Sequence, residues 1–349
     1  MQKRLVVLLC ALPSLAFSAE TARPHPAAGV AAPTGVLKLR VAHIFDEKYA
    51  WHKAFERFRD ILKAKSNGAI EVQIFPNRVL GEEKDYISYL RLGALDMATL
   101  STGGLSTVAK EAGFFDLMYL WKDRDHWTRA LDGEVGQMMS DSIRKSTSTP
   151  AAPGFEVLGY WSGSELNIVG RVRGYQTIKD LEGIKIRSQG VDVQLEQWKA
   201  LGASPVVVPY EGIYDAFKSG LLDATPGIVA AVFTQKVYEV APHMSLTAHN
   251  YIVRPFVMSG HTWKKLTPAQ RKLVMDAARE ATLLAREFEA QQNDDYTEVL
   301  KTRYGVKFYP FREREAMREK TQALREQVAA EMGLTKVLVA IEAAKSPRK

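Results

Sequence analysis

Cysteine is almost missing from this chain. Cys10 is the only one, so no internal disulfide can form and stability has to come from the packed core. Long apolar runs are missing as well, apart from Leu5 to Leu12 near the start, which is too short to cross a bilayer. That run follows Lys3 and Arg4 and precedes the small residues Ala16, Ser18 and Ala19. The pattern is that of a secretory signal peptide over residues 1–19, cut after Ser18 or Ala19, and Cys10 would leave with it. Leu9 is bulky where a lipid-attachment site expects a small residue. Blocks of Lys and Arg are absent too: the net charge of +7 is spread among acidic residues, which argues against nucleic acid as a partner.

Catalytic signatures are also absent. There is no G-x-S-x-G, H-E-x-x-H, P-loop or G-x-G-x-x-G pattern. Ser142-Ile143-Arg144-Lys145 matches S-x-x-K only in form, because a companion K-T-G is missing. His243 and His249 stand six apart, which fits no common zinc spacing, so no metal site or cofactor is indicated. What is present is the composition of a folded protein, 46% hydrophobic and 25% charged, in 349 residues, enough for two domains.

The most informative stretch is Leu181 to Pro226. Gly183 to Arg187 alternates like a short strand, with Arg187 at its carboxyl end. After Gly190, Val191, Leu195 and Trp198 recur at i, i+4 and i+7, one face of a helix. A strand over Pro205 to Val208 follows, then a helix carrying Ile213, Tyr214, Phe217 and Leu221, then Gly220-Leu221-Leu222-Asp223 leads into another strand. The order is β-α-β-α-β. In open α/β sheets ligands bind beyond the carboxyl ends of the strands, and Arg187 is placed there to meet an anion.

The earlier part of the chain has a similar plan. Residues 20–35 hold three prolines and little apolar bulk and read as a flexible leader. A strand over Leu37 to His43 is followed by a helix with Trp51, Phe55, Phe58 and Leu62 on one face, ending at Ser66-Asn67-Gly68. A strand over Ile70 to Phe75 stops at Pro76, a helix runs from Glu82 to Leu92, and Gly93 leads into a strand from Met97 to Leu100. GALDMAT at Gly93 echoes GLLDAT at Gly220, which points to two lobes on one plan. Ser101-Thr102-Gly103-Gly104 reads as a polar turn suited to backbone contacts with a ligand, and the aromatic-rich Phe114 to Trp121 as core. Ser146 to Gly154 reads as a loop. Val157 to Trp161 and His249 to Met258 read as strands that cross between the lobes. Thr267-Pro268-Ala269-Gln270 opens a helix of about 35 residues, roughly 50 Å long, able to brace both lobes; its buried stripe is expected at Leu273, Ala277, Ala281, Leu284 and Phe288. Helices over Arg312 to Met332 and Leu334 to Ala344 finish the chain.

With these motifs in place, residues 36–330 resemble the solute-binding proteins of TRAP (tripartite ATP-independent periplasmic) transporters, of the DctP type. The resemblance is carried by LRVAHIF near the start, KSNGAIEVQIFPNRVLGEE from Lys65, LRLGALDMATLSTG from Leu90, IKDLEGIKIRS from Ile178 and KALGASPVVVPYEGIYDAFKSGLLDA from Lys199. It implies a two-lobed α/β periplasmic binding protein with a cleft between the lobes, crossing hinge strands near Tyr160 and Tyr251 and a long bracing helix. Lobe 1 would hold residues 36–160 with 252–290 returning to it, and lobe 2 residues 161–251 with 291–349 packed on it. It further implies a monomer in the periplasm that captures a small organic acid and delivers it to an ion-gradient-driven membrane permease, without catalysis.

In that family the arginine of the K-I-R strand binds the ligand carboxylate, and Arg187 matches it. A guanidinium pairs bidentately with a carboxylate. Where many members carry a second arginine this chain has Gly163-Ser164-Glu165, and where many have asparagine it has Thr225-Pro226-Gly227. Losing a cation and gaining a carboxylate favours a monocarboxylate, hydroxylated or aromatic. Glu165 reads either as the partner of a ligand hydroxyl or amino group or as a solvent-facing carboxylate. His43, Thr102, Tyr210, Gly227, Trp161 and Phe233 complete the candidate ligand-binding set; for each ring the competing reading is core packing, and for Trp198 packing is favoured. Two other functions fit the architecture: a sensing protein reporting to a membrane receptor, and an enzyme with Glu165 or Asp223 as general base.

Overall fold

Trp51, Phe55, Phe58 and Leu62 do form one buried stripe, on a helix over Ala50–Lys65. Asn67 and Gly68 end it with positive φ of 51° and 80°, a left-handed turn that glycine enters without strain. The computed structural model describes residues 35–344, so the signal peptide and most of the leader lie outside the described residues.

The strands are β1 (Leu37–Ala42), β2 (Ile70–Phe75), β3 (Met97–Thr99), β4 (Glu156–Gly170), β5 (Lys185–Ser188), β6 (Ser204–Val207), β7 (Ala224–Gly227), β8 (His243–Met258) and β9 (Lys307–Pro310). The helices are α1 (Ala50–Lys65), α2 (Glu83–Leu92), α3 (Thr102–Ser106), α4 (Arg124–Leu131), α5 (Glu134–Thr147), α6 (Asp192–Ala200), α7 (Ile213–Lys218), α8 (Val229–Thr234), α9 (Gly260–Lys265), α10 (Pro268–Thr302), α11 (Arg314–Lys320), α12 (Gln322–Glu331) and α13 (Thr335–Ala343).

The strands join in one sheet, in the order β2-β1-β3-β8-β4-β7-β5-β6, with β9 beside β8. Its two ends are parallel units, β1 with β2 and β3, and β5 with β6 and β7. The long antiparallel pair β4 and β8 runs between them. The echo at Gly93 and Gly220 has a structural basis: each glycine has positive φ, 69° and 75°, and each precedes the strand, β3 or β7, that lies next to the central pair. One core, with Phe55, Phe58, Leu90, Met97 and Val257, lies on the first half of the sheet. Two others, around Ile186 and Trp198 and around Phe217 and Leu222, lie on the second.

The 35-residue α10 starts with the expected capping box, Thr267 accepting from the Gln270 amide at 3.2 Å and Gln270 from the Thr267 amide at 2.9 Å. Its buried face is Val274, Ala277, Ala278, Ala281, Thr282, Ala285, Arg286 and Glu289; the expected Ala277 and Ala281 lie on it, while Leu273, Leu284 and Phe288 are only partly buried. Small side chains let the helix lie close on β4, where a Cβ at Gly159 would stand 2.3 Å from Thr282 Oγ1. Further along, Glu289 accepts hydrogen bonds from Tyr49 (3.0 Å), Ser162 (2.7 Å) and Ser164 (2.8 Å), and Asn293 accepts one from the Ala230 amide at 2.9 Å. One helix thus grips both halves.

Other expectations shift. On α6 the buried positions are Val193, Gln197 and Trp198, with Leu195 only half-buried; on α7 they are Ile213, Ala216 and Phe217, while Leu221 is exposed. The Ser101–Gly104 turn is the start of α3, with Ser101 capping the Gly104 amide at 2.9 Å. α5 runs to Thr147, two residues into the expected loop. The helix expected over Arg312–Met332 breaks at Thr321, whose hydroxyl bonds back to the Met317 carbonyl and accepts from Arg325. That break lets Met317 pack with Ile184 and Ile186 while Val328, Val337 and Ile341 pack with Trp127 and Met139 beneath α4 and α5. β9 lacked any sequence signal strong enough to read.

Candidate functional site

The strand ends of both halves open on one cavity of about 540 Å³. β5 delivers Arg187 to it, one residue before the strand ends. The side chain is 7% exposed, and Nε donates to the Val208 carbonyl at 2.9 Å, which orients the fork toward the cavity. Among the described residues no carboxylate pairs with it. Burial pulls the guanidinium down to about 10, opposed by Tyr210 and Glu211, so it stays charged at neutral pH. A buried cation without a counter-ion is costly, and an incoming anion relieves that cost.

From the central pair, β8 presents His249, Asn250, Ile252, Val253 and Arg254 to the same cavity. Arg254 pairs with Glu83 at the start of α2 and lies 5.1 Å over the Phe45 ring and 5.2 Å over Trp51. Tyr210 stands near both arginines: burial pushes its hydroxyl up to about 12, while Arg254 and Arg187 act in the other direction.

A third group joins the two halves. Asp116 accepts from Thr102 Oγ1 at 2.6 Å on one side and from Gln194 Nε2 at 3.0 Å on the other. Gln194 also accepts from the Gln189 amide at 2.9 Å, beside Arg187. Burial pushes the Asp116 carboxyl up to about 6, against those two hydrogen bonds. Gln189 reaches across to Gly103, where a Cβ would meet its Oε1 at 2.3 Å, so the glycine makes room for the approach. His249, held by Thr247 at 2.7 Å and edge-on to Trp198 at 5.3 Å, lines the cavity with Nε2 unpartnered. Burial brings it down to about 3, so the ring is neutral.

Of the residues expected from sequence, Arg187, Thr102, Tyr210 and Gly227 line the cavity. Four others do not. His43 is fully buried, stacked on Phe55 at 5.3 Å and bonded to His52 at 3.1 Å, because only the residues after it, Ile44 and Phe45, turn into the cleft. Glu165 is exposed and accepts from the Tyr251 hydroxyl at 3.2 Å; its strand neighbour Leu166 takes the cavity side. Trp161 packs between Phe55 and α10, its indole donating to Thr282 at 3.0 Å. Phe233 stacks on Tyr296 of α10 at 4.0 Å, since Ile228, Ala231, Val232 and Gln235 form the helix face toward the cavity. Trp198, favoured as core, is buried and also lines the cavity.

Arg254, Glu83, Trp51 and Asp116 are missed by the sequence reading. A signal for Arg254 exists: it is the one charged residue in the otherwise apolar stretch Tyr251 to Met258. The arrangement can hold an anion at Arg187 and satisfy hydroxyls elsewhere, through donors and acceptors in alternation. Among the described residues no three His, Cys, Asp or Glu converge as a metal site, and no helix is long and apolar enough to cross a membrane.

The sequence profile of the bacterial extracellular solute-binding proteins, family 7 (DctP), matches residues 41–332. A TRAP periplasmic solute-binding protein of Sulfitobacter sp. NAS-14.1, solved with bound α-D-taluronate, is 29% identical, with a TM-score of 0.81, covering 88% of this chain and 97% of that one. A TRAP periplasmic solute-binding protein of Pseudomonas putida F1, solved with D-glucuronate, is 28% identical, with a TM-score of 0.81, covering 89% and 98%. The C4-dicarboxylate-binding protein DctB of Bacillus subtilis is 25% identical over 276 residues, 79% of this chain and 77% of that relative. The Gly-x-Leu-Asp echo, the arginine of the K-I-R strand with no acid paired to it among the described residues, and the helix bracing both halves thus occur in a chain that belongs to the DctP family of TRAP solute-binding proteins.

Proposed function

We propose that this chain is the periplasmic capture protein for a hydroxylated sugar acid with a single carboxylate, which it hands to a TRAP membrane permease. The observation that carries this reading is Arg187, buried at 7% exposure in the cleft with no acidic partner among the described residues. The ligand carboxylate is the missing counter-ion, held bidentately by the guanidinium. The rest of the lining supports the hydroxylated part: Thr102, Tyr210, Gln189, Asn250 and His249 supply donors and acceptors, and Trp198 an apolar face. The taluronate and glucuronate bound by the relatives have one carboxylate and several hydroxyls, which supports the same class. The protein works as a monomer and performs no chemistry on its ligand.

Binding shifts a population of open and closed forms toward the closed one. The motion is a rotation of residues 36–160 against 161–251 about β4 and β8, near Tyr160 and Tyr251. The interrupted register between Ser162 and Glu165, with Ser162 and Gly163 at φ of 81° and 86°, lies beside that point. Thermal melts of the purified protein with D-glucuronate, D-galacturonate, D-galactonate, malate, succinate and 3-hydroxybutyrate test the reading. A ligand at 100 times its Kd adds about 2.7 kcal/mol, a shift of a few degrees in a chain of this size. Shifts with the sugar acids are expected. A shift with succinate or malate and none with any sugar acid would overturn the substrate class.

A further inference from the structure

Glu83 and Arg254 form the second charged feature of the cleft, and their geometry sets what the ligand's far end can be. Arg254 comes from the cavity face of β8, with Pro255 behind it. Arg254 is 8% exposed, with its guanidinium beside the adjoining rings of Phe45 and Trp51 and paired with Glu83. Glu83 is itself immobilised. One carboxylate oxygen meets Arg254; the other accepts from the Ser101 amide at 3.0 Å and the Ser101 hydroxyl at 2.5 Å. Gly104 leaves the room for this, since a Cβ there would stand 2.7 Å from Glu83 Oε2. The carboxylate cannot swing away to free the arginine without giving up three donors.

Arg254 Nε and Trp51 Nε1 are closed off from the cavity, so the pair meets a ligand as a neutralised charge. Glu83 compensates Arg254, and its own negative charge disfavours a second anion there. A neutral polar group meets no such penalty. We propose that the Glu83–Arg254 pair is the specificity element of the cleft: it cancels the second cation, so that an acid with one carboxylate is accepted and its diacid counterpart is rejected. This deepens the sugar-acid reading and rests on it for the skeleton of the ligand, while the counting of charges does not depend on that skeleton.

The test compares monoacid and diacid on two skeletons, D-galacturonate with galactarate and 3-hydroxybutyrate with malate, by calorimetry on the purified protein. Wild type is expected to favour the monoacid at least tenfold. Glu83→Gln keeps an acceptor for Ser101 but uncovers Arg254, and is expected to move the diacid-to-monoacid ratio at least tenfold toward the diacid. Arg254→Gln leaves Glu83 uncompensated and is expected to move the ratio the other way; it decides the matter if the first variant does not fold. A wild type that prefers the diacid, or a folded variant whose ratio stays within twofold of wild type, would overturn the proposal. If only the C4 pair binds, the sugar-acid reading fails and the ratio on that pair decides the role of Glu83. If neither pair binds, both fall.

Discussion

Arg187 from β5 and Arg254 from β8 reach one cavity, almost equally buried at 7% and 8% exposure, yet they are set up in opposite ways. Arg254 has Glu83 as its counter-ion and the adjoining rings of Phe45 and Trp51 beside it. Arg187 has one carbonyl, that of Val208, and no acid among the described residues. Arg286 extends the contrast: equally hidden, it is held by two bonds to Asp132 at 2.8 and 2.7 Å and by the Tyr160 carbonyl, and serves the frame. The residue type says little by itself. Whether the protein supplies the counter-ion separates an arginine that waits for a ligand from one that shapes or braces.

The largest effect should come from removing the unpaired cation. Arg187→Gln is expected to weaken carboxylate binding more than a hundredfold, and Arg187→Lys, which keeps charge but loses the fork, at least tenfold; titration calorimetry reads both, and affinity near wild type in Arg187→Gln would erase the contrast. Arg286→Met should act on stability instead. Breaking a buried pair costs 3–5 kcal/mol, and because Asp132 is half exposed the expected loss is about 3 kcal/mol by urea unfolding, with affinity within twofold.

Asp116 gives a smaller, pH-dependent effect. Its folded pKa lies above the usual carboxylate value, so the folded state holds the proton more tightly, and stability falls as pH rises from about 4 through about 6. Asp116→Asn cannot ionise. Its stability relative to wild type should therefore increase by about 2 kcal/mol between pH 4.5 and pH 7, and parallel melts at the two pH values read that difference. A constant offset would count against the buried charge. Smallest of all, Glu165→Gln should leave affinity within twofold, because the carboxylate faces away from the cavity toward Tyr251; a tenfold change would bring Glu165 back into the site.

Local order was largely legible in the sequence. Glycines at 68, 93 and 220, the capping box at Thr267 and the stripe on α1 each depend on neighbours a few residues away, and each stands as read. Faces were less legible. On α10 the expected stripe held Ala277 and Ala281, which are buried, but also Leu273, Leu284 and Phe288, which are only partly so, because contact with β4 and α1 centres on the alanines. Size marks hydrophobicity, but a close approach of helix to sheet selects small side chains.

The candidate site divides along the same line. Arg187 and the strand that carries it were readable because strand, glycine and helix follow one another within a short stretch, and the sheet rule then places the arginine at a carboxyl end. For Glu165, His43, Trp161 and Phe233 the sequence left a reading away from the ligand open beside the ligand-binding one, because a period of 2 or 3.6 says which residues share a face but not which face meets the cleft. Glu83 and Arg254 stand 171 positions apart and bond only once β8 returns to pair with β3, and Asp116 meets Gln194 only once the halves of the sheet are joined. The sequence by itself determined the β-α-β units, their caps and the arginine at the end of β5, since these follow from local sterics and hydrogen bonding. Tertiary structure alone decided which charges are paired and which remain open to a ligand, because pairing depends on distances between segments that no local pattern records.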